Sequence, residues 1–171
     1  RRGDNVRLGR SRREWRRRMK AKLILRFRVD GIPQPRGSKK AITVPGQRRG
    51  LLIDDNAKSG PWMDLVAGYA RKVMNGREPW DGPLCLKATF FRERPKGHFR
   101  KDGRLKPTAA AFPATKPDAS KYMRAVEDAL SKIVYVDDSR LVDSWPSKRW
   151  GKPGVVIELY QLPETIRDLQ E

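Results

Sequence analysis

The chain has 171 residues, a net charge of +19, a pI near 10.7 and a hydrophobic fraction of 37%. That length suits one domain with a modest core, and a charge that large calls for a polyanion such as nucleic acid to neutralise it. A single cysteine, Cys85, and a single histidine, His98, leave no material for an internal disulfide, a Cys/His zinc module or Cys–His catalysis, and no apolar run is long enough to span a membrane or form a signal peptide.

Residues 1–22 form a basic arm, with eleven Lys or Arg residues against Asp4 and Glu14. Such a block of like charge is expected to be flexible when free, with Arg12–Arg18 able to coil into a basic helix on DNA as the alternative. Leu23–Val29 alternates, with Leu25, Phe27 and Val29 opposed to Ile24, Arg26 and Arg28, which predicts a strand with one buried face. Gly31–Lys40 is a Pro/Gly loop whose Arg36, Lys39 and Lys40 are candidate phosphate contacts. Ala41–Val44 and Leu51–Ile53 predict a hairpin around Pro45-Gly46. A helix is expected over Pro61–Met74, capped by Ser59, stopped by Gly76, and lined on one face by Trp62, Leu65, Val66, Tyr69 and Val73.

Leu84–Phe91 is an apolar strand expected near the sheet centre. Residues 92–116 follow as a long basic loop with Gly97, Gly103, Pro95, Pro107 and Pro113. Loops of that length are functional or mobile, and Arg100, Lys101, Arg104 and Lys116 make this one a candidate cover for bound DNA. Next, Pro117 disfavours helix before it and Asp118 suits an N-cap. Tyr122, Val126, Ala129, Leu130 and Ile133 recur at helical spacing, with Ser120, Arg124, Glu127, Asp128 and Ser131 on the polar face. Ile133–Val136 reads as an extended run, Asp137-Asp138-Ser139 as a turn, and Arg140–Trp150 and Val155–Leu162 as the last two strands. Residues 163–171 are a tail or short helix. The fold class read from this order is α+β, a mixed β-sheet packed on one side by two helices, over residues 23–162.

Asp118 alone reads as a helix cap, and Asp-Asp-Ser alone as a solvated turn. In combination, Lys116-Pro117-Asp118-x-Ser120-Lys121, Arg124, Glu127-Asp128-Ala129-Leu130, Asp137-Asp138-Ser139 and the strand residue Lys148 resemble the core of the RusA-like Holliday-junction resolvases, a family found largely in phages and prophages. The likeness covers residues 113–160 well. It extends more weakly to residues 24–65, where Phe27–Ser38 resembles the family's first strand and Pro-containing loop. One position departs from the pattern: Ser120 stands where the family's Asp-x-Asp has its second aspartate.

The resemblance implies a metal-dependent endonuclease that resolves four-way DNA junctions by paired nicks, acting as a homodimer in the cytoplasm, with Mg²⁺ or alternatively Mn²⁺ and no small-molecule cofactor. Carboxylates are the natural ligands of such cations. Asp118 and Asp138 are the expected ligands, a turn after the helix bringing them together, with Asp137 and Ser120 as further members of the metal set. Arg124, one turn from Ser120, is the candidate for holding the scissile phosphate, an ion pair with Glu127 or Asp128 being the alternative. Lys148 matches the family's strand lysine, assigned to phosphate or the attacking water, and Lys121 joins the DNA-binding cations. The alternative function is a branched-DNA-binding protein with a weakened or lost metal site, which Ser120 favours.

Overall fold

The computed structural model describes residues 19–37, 39–42, 51–54 and 56–170, and for 39–42 and 51–54 the backbone alone. Most of the basic arm, residues 1–18, and the Pro45-Gly46 turn lie outside the described residues. Strand β1 spans Lys22–Asp30, β2 Lys39–Ile42, β3 Leu51–Asp54, β4 Leu84–Arg92, β5 Leu141–Trp150 and β6 Gly154–Gln161. Helix α1 spans Ser59–Met74, α2 Ala119–Leu130 and α3 Ile166–Gln170.

The four-stranded sheet has the order β1-β6-β4-β5, and β2 and β3 form a separate antiparallel pair. β4 and β5 are parallel, and α2 lies on the crossover between them. β6 is antiparallel to both β1 and β4. The last two strands are therefore not a hairpin. The chain leaves β5 at the sheet edge, passes the end of β4, and inserts β6 on the far side. The insertion is close: Asp30 pairs with Gly154, and a Cβ on Gly154 would meet the Val29 carbonyl oxygen at 2.6 Å.

Alternation assigns the faces as the residues suggest. Leu25, Phe27 and Val29 of β1, Leu84, Leu86, Ala88 and Phe90 of β4, and Val155, Ile157 and Leu159 of β6 are buried in one cluster beneath α1 and α2. Tyr122, Val126, Ala129 and Leu130 join it from α2, and the Tyr122 ring stacks on Phe90 with centroids 5.1 Å apart. On the opposite face, Cys85, Tyr160 and Leu162 form a smaller cluster with Met19 and Ala21. There Glu158, 8% exposed, pairs with Lys87 and with Arg26 at 3.8 Å.

Four local expectations are corrected. Helix α1 starts earlier, with Lys58 at the cap position and Ser59 buried in the first turn, so Ser59 is not the cap. The Asn56 side chain instead accepts from the Lys58 amide at 3.2 Å. The buried face of α1 is Trp62, Val66, Ala67, Ala70 and Met74, while Leu65 and Tyr69 are each 40% exposed. Lys39 and Lys40 open β2 rather than closing the preceding loop; their side chains lie outside the described residues. Ile133–Val136 is not an extended strand. Lys132 takes φ +63°, its amide donates to the Tyr135 carbonyl at 2.7 Å, and Val134 and Tyr135 are buried in a tight turn. No helix among the described residues is long and apolar enough to cross a membrane.

Candidate active site

Asp118 sits at the N-cap position of α2 in an extended conformation (φ −69°, ψ 146°), but its carboxylate takes no capping hydrogen bond. It is exposed, as are Lys116, Ser120, Lys121 and Arg124. A cleft of about 440 Å³ opens here between the loop after β1 and the start of α2, lined by Pro35, Arg36, Gly37, Asn56, Lys116, Pro117, Asp118 and Lys121. The loop is tied to α2 by the Arg36 amide, which donates to the Lys121 carbonyl at 2.9 Å, and to the segment before α1 by Asn56 Nδ2, which donates to the Pro35 carbonyl at 2.9 Å. One carboxylate between two lysines that have no ion-pair partner among the described residues makes a pocket suited to a phosphodiester.

The cations expected there differ in their freedom. The Arg36 guanidinium is held by Asp128 at 3.2 Å and by Met63 Sδ at 3.1 Å. Arg124 makes neither of its alternative ion pairs: among the described residues it has no partner, and Glu127 instead accepts from Ser144 Oγ at 2.8 Å. Lys148, expected on phosphate or water, donates to the carbonyls of Thr115 at 2.7 Å and Pro117 at 3.0 Å. Arg92, which sequence reasoning missed, joins it there through the Lys116 carbonyl at 3.0 Å. Side-chain donors to backbone carbonyls leave no sequence pattern, so no signal marked Arg92.

Asp138 is at the other end of α2. The Tyr135 hydroxyl donates to the Glu127 carbonyl in the last turn of the helix at 2.8 Å. Burial pushes this phenol well above its ordinary pKa, and the negative charges of Glu127, Asp138 and Asp128 push it further. Asp137 precedes a 3-10 turn, Asp138–Arg140, and accepts from the Ser139 amide at 2.9 Å. That hydrogen bonding at Ser139 holds the Asp137 carboxyl below the usual range. Arg140 pairs with Asp81 at 2.7 Å. The twelve residues of α2 span about 18 Å at 1.5 Å per residue. The turn after α2 therefore does not return Asp138 to Asp118. Among the described residues no group of three or more His, Cys, Asp or Glu side chains converges as a cation would require. The four residues expected to share a metal do not fit one within a single chain: Asp118 and Ser120 lie at one end of α2, Asp137 and Asp138 at the other.

The basic loop after β4 is folded. Lys96–His98 form a 3-10 turn, Phe99 bridges Leu105, and the Arg100 amide donates to the Arg104 carbonyl at 2.8 Å. This closes a small turn with Arg100, Lys101 and Arg104 exposed. Trp150 anchors the loop to β5. Its Nε1 donates to the Ala110 carbonyl at 2.9 Å, Arg94 lies 5.4 Å from its ring centroid, and His98 meets it edge-on at 5.3 Å. Arg94 also donates to Ala110 at 3.0 Å, and Pro113 is buried. His98 is thus a packing residue of the anchor.

Comparison with known proteins bears on this arrangement. The family described as Endodeoxyribonuclease RusA matches residues 31–160, from the loop after β1 through most of β6. The uncharacterized protein YqaN of Bacillus subtilis (strain 168) is 35% identical over 126 residues, covering 72% of this chain and 86% of that protein.

Proposed function

The chain belongs to the RusA endodeoxyribonuclease family, and on that premise we propose that it resolves four-way DNA junctions by paired nicks, using carboxylate sites completed between two copies of the chain. The observation that carries this reading is the separation of Asp118 from Asp138 by the length of α2. Two copies related by a two-fold axis, with their α2 helices antiparallel, would set Asp118 of one copy beside Asp138 of the other, twice. The polar face of α2 supports such a pairing. It is basic toward its start, at Lys121 and Arg124, and acidic toward its end, at Glu127 and Asp128, so the long-range field favours an antiparallel approach of two copies without pairing these side chains. Two sites related by a two-fold axis also match a substrate with two-fold symmetry.

A divalent cation bound there, Mg²⁺ or Mn²⁺, would neutralise charge on the phosphate and activate a water. The remaining roles fall to side chains of this chain. Asp118 and Asp138 are the ligands, with Asp137 and Ser120 beside them. Lys116 and Lys121 flank Asp118 and hold the strand to be cut. Arg124, free of any ion pair among the described residues, is the candidate for the scissile phosphate. Arg100, Lys101 and Arg104 project from the anchored loop onto phosphates away from the cut and contribute affinity without sequence preference.

A second reading, a branched-DNA-binding protein that does not cut, is favoured by Ser120, a hydroxyl at a position where the family motif carries a carboxylate. Incubation with a synthetic four-way junction and a linear duplex, each with and without Mg²⁺, separates the two. Symmetric nicks confined to the junction and dependent on metal support the first reading. Tight junction binding with no cut in Mg²⁺ or Mn²⁺ supports the second.

A further inference from the structure

We propose that Arg92 and Lys148 are positioning residues that grip the backbone of Thr115–Pro117 and so set where the Asp118 carboxylate stands; this rests on Asp118 being a functional carboxylate. The observation is the convergence of two cations on three successive carbonyls. Lys148 Nζ donates to Thr115 O at 2.7 Å and Pro117 O at 3.0 Å. The Arg92 guanidinium donates to Lys116 O at 3.0 Å, Thr115 Oγ1 at 3.2 Å and Thr115 O at 3.4 Å. The donors come from neighbouring parallel strands: Lys148 pairs in register with Phe90, and Arg92 with Trp150. Both therefore rise from the same end of the sheet, on the side that α2 covers.

Residues 115–117 belong to no helix or strand. Carbonyls in such a stretch need donors from elsewhere, and water would satisfy them without fixing their place. Two side chains rooted in a sheet satisfy them and fix them. Neither cation has a carboxylate partner among the described residues, so the donors of both are directed at the Thr115–Pro117 backbone. The grip also accounts for a carboxylate at an N-cap position that makes no cap: the helix start is held from its preceding carbonyls, which leaves the Asp118 side chain available. Displacement of a reacting group by about 1 Å costs on the order of a hundredfold in rate, so loosening this segment acts on turnover rather than on DNA affinity.

The test uses the full chain with Arg92→Gln, Lys148→Met, the double variant, Lys148→Arg and Arg92→Lys. Amide hydrogen exchange, without metal or DNA, reads the grip directly. The Tyr122 amide, which donates to the Asp118 carbonyl, is expected to exchange at least about tenfold faster in the double variant, while Leu86 in β4 keeps its wild-type protection. In single-turnover cleavage of a four-way junction the same variant is expected to be roughly 10- to 100-fold slower at unchanged junction Kd and to need more Mg²⁺ for half-maximal rate, while Arg92→Lys, which keeps a donor, is expected to lose substantially less rate than Arg92→Gln. Wild-type exchange at Tyr122 together with wild-type cleavage overturns the proposal. So does weakened junction binding with unchanged exchange, because the cations would then be DNA contacts. Should the double variant not fold, Lys148→Arg, which keeps the charge and changes the reach, carries the same readouts. A wild-type protein that cuts nothing sinks the nuclease reading, and the exchange data still decide the grip.

Discussion

The Tyr135 hydroxyl donates to the Glu127 carbonyl at 2.8 Å, closing the turn that follows α2 onto the helix it has just left. The same turn is bracketed by Trp80, whose amide donates to Val134 O at 3.0 Å and whose carbonyl accepts from the Val136 amide at 3.1 Å. Tyr135 is fully buried, and its raised pKa keeps the phenol a donor across the physiological range. Tyr135→Phe removes one hydrogen bond with little change of shape, and Glu127 O keeps its bond from the Ser131 amide at 3.1 Å. The expected loss is about 1 kcal/mol, read from the midpoint of urea unfolding at unchanged m-value. A midpoint equal to wild type would mean that the phenol bond adds nothing.

Composite sites make a prediction that single-chain sites do not. Asp118→Asn and Asp138→Asn are each expected to abolish junction cleavage while leaving binding equal or tighter, since each removes a charge that repels phosphate. Mixed and allowed to exchange subunits, the two dead variants should regain cleavage at about a quarter of the wild-type number of sites, because half the dimers are mixed and each has one intact site. A mixture as inert as its components would return both carboxylates to one chain.

Ser120→Asp restores a carboxylate to the first turn of α2, on an exposed position that the fold tolerates. The expected result is a lower Mg²⁺ concentration for half-maximal cutting at unchanged thermal stability. The measurement is a metal titration of junction cleavage on both forms. No gain, or a loss, would show that Ser120 has a role of its own.

The loop anchor at Trp150 is open to limited proteolysis. Trp150→Phe keeps a ring for Arg94 and His98 and removes the bond to Ala110. One hydrogen bond contributes about 1 kcal/mol, so tryptic cleavage at Arg100, Lys101 or Arg104 should speed up roughly fivefold, with cleavage elsewhere unchanged. Equal rates would locate the anchor in the ring contacts alone.

Cys85 is expected to be silent. Burial, and then the charge of Asp143, push its thiol up to about 12 from an ordinary value of 9.0. The folded state thus holds this proton more firmly than the unfolded chain does. The stability it contributes is intact below pH 9 and drains away as pH rises toward 12. A disulfide reagent at pH 8 should modify the thiol only at the rate of unfolding, and modification as fast as that of a free thiol would contradict the burial.

Much of this fold is legible in the residues. The alternation of Leu25, Phe27 and Val29 announces β1, and the spacing of Tyr122, Val126, Ala129 and Leu130 announces α2 with its buried face. The phase of α1 was misread because Ala67 and Ala70 carry little hydrophobic signal, yet they sit where the helix meets its neighbours. Leu65 and Tyr69 are more apolar and face out. The β-branched run Ile133–Val136 has strand propensity, but the bonds from Trp80 and within the turn outweigh it. At the site, the residue types were legible and their distance was not. A motif places Asp118 and Asp138 in one string, and only the folded chain, with the turn before Asp138 tied to the last turn of α2, shows that they stand apart.

The last strand of the sheet to be synthesised lies inside it. β6 pairs with β1, more than 120 positions upstream, and with β4, about 70 upstream. Until Gln161 has been made, β1 and β4 have no common neighbour, and β4 and β5 can form only half of the sheet. Folding of this sheet must therefore await the synthesis of β6, and its long-range pairings predict a slow search rather than a fast local one. A nascent chain halted before β6 would display the apolar faces of β1 and β4 with nothing to close them, a natural substrate for chaperones.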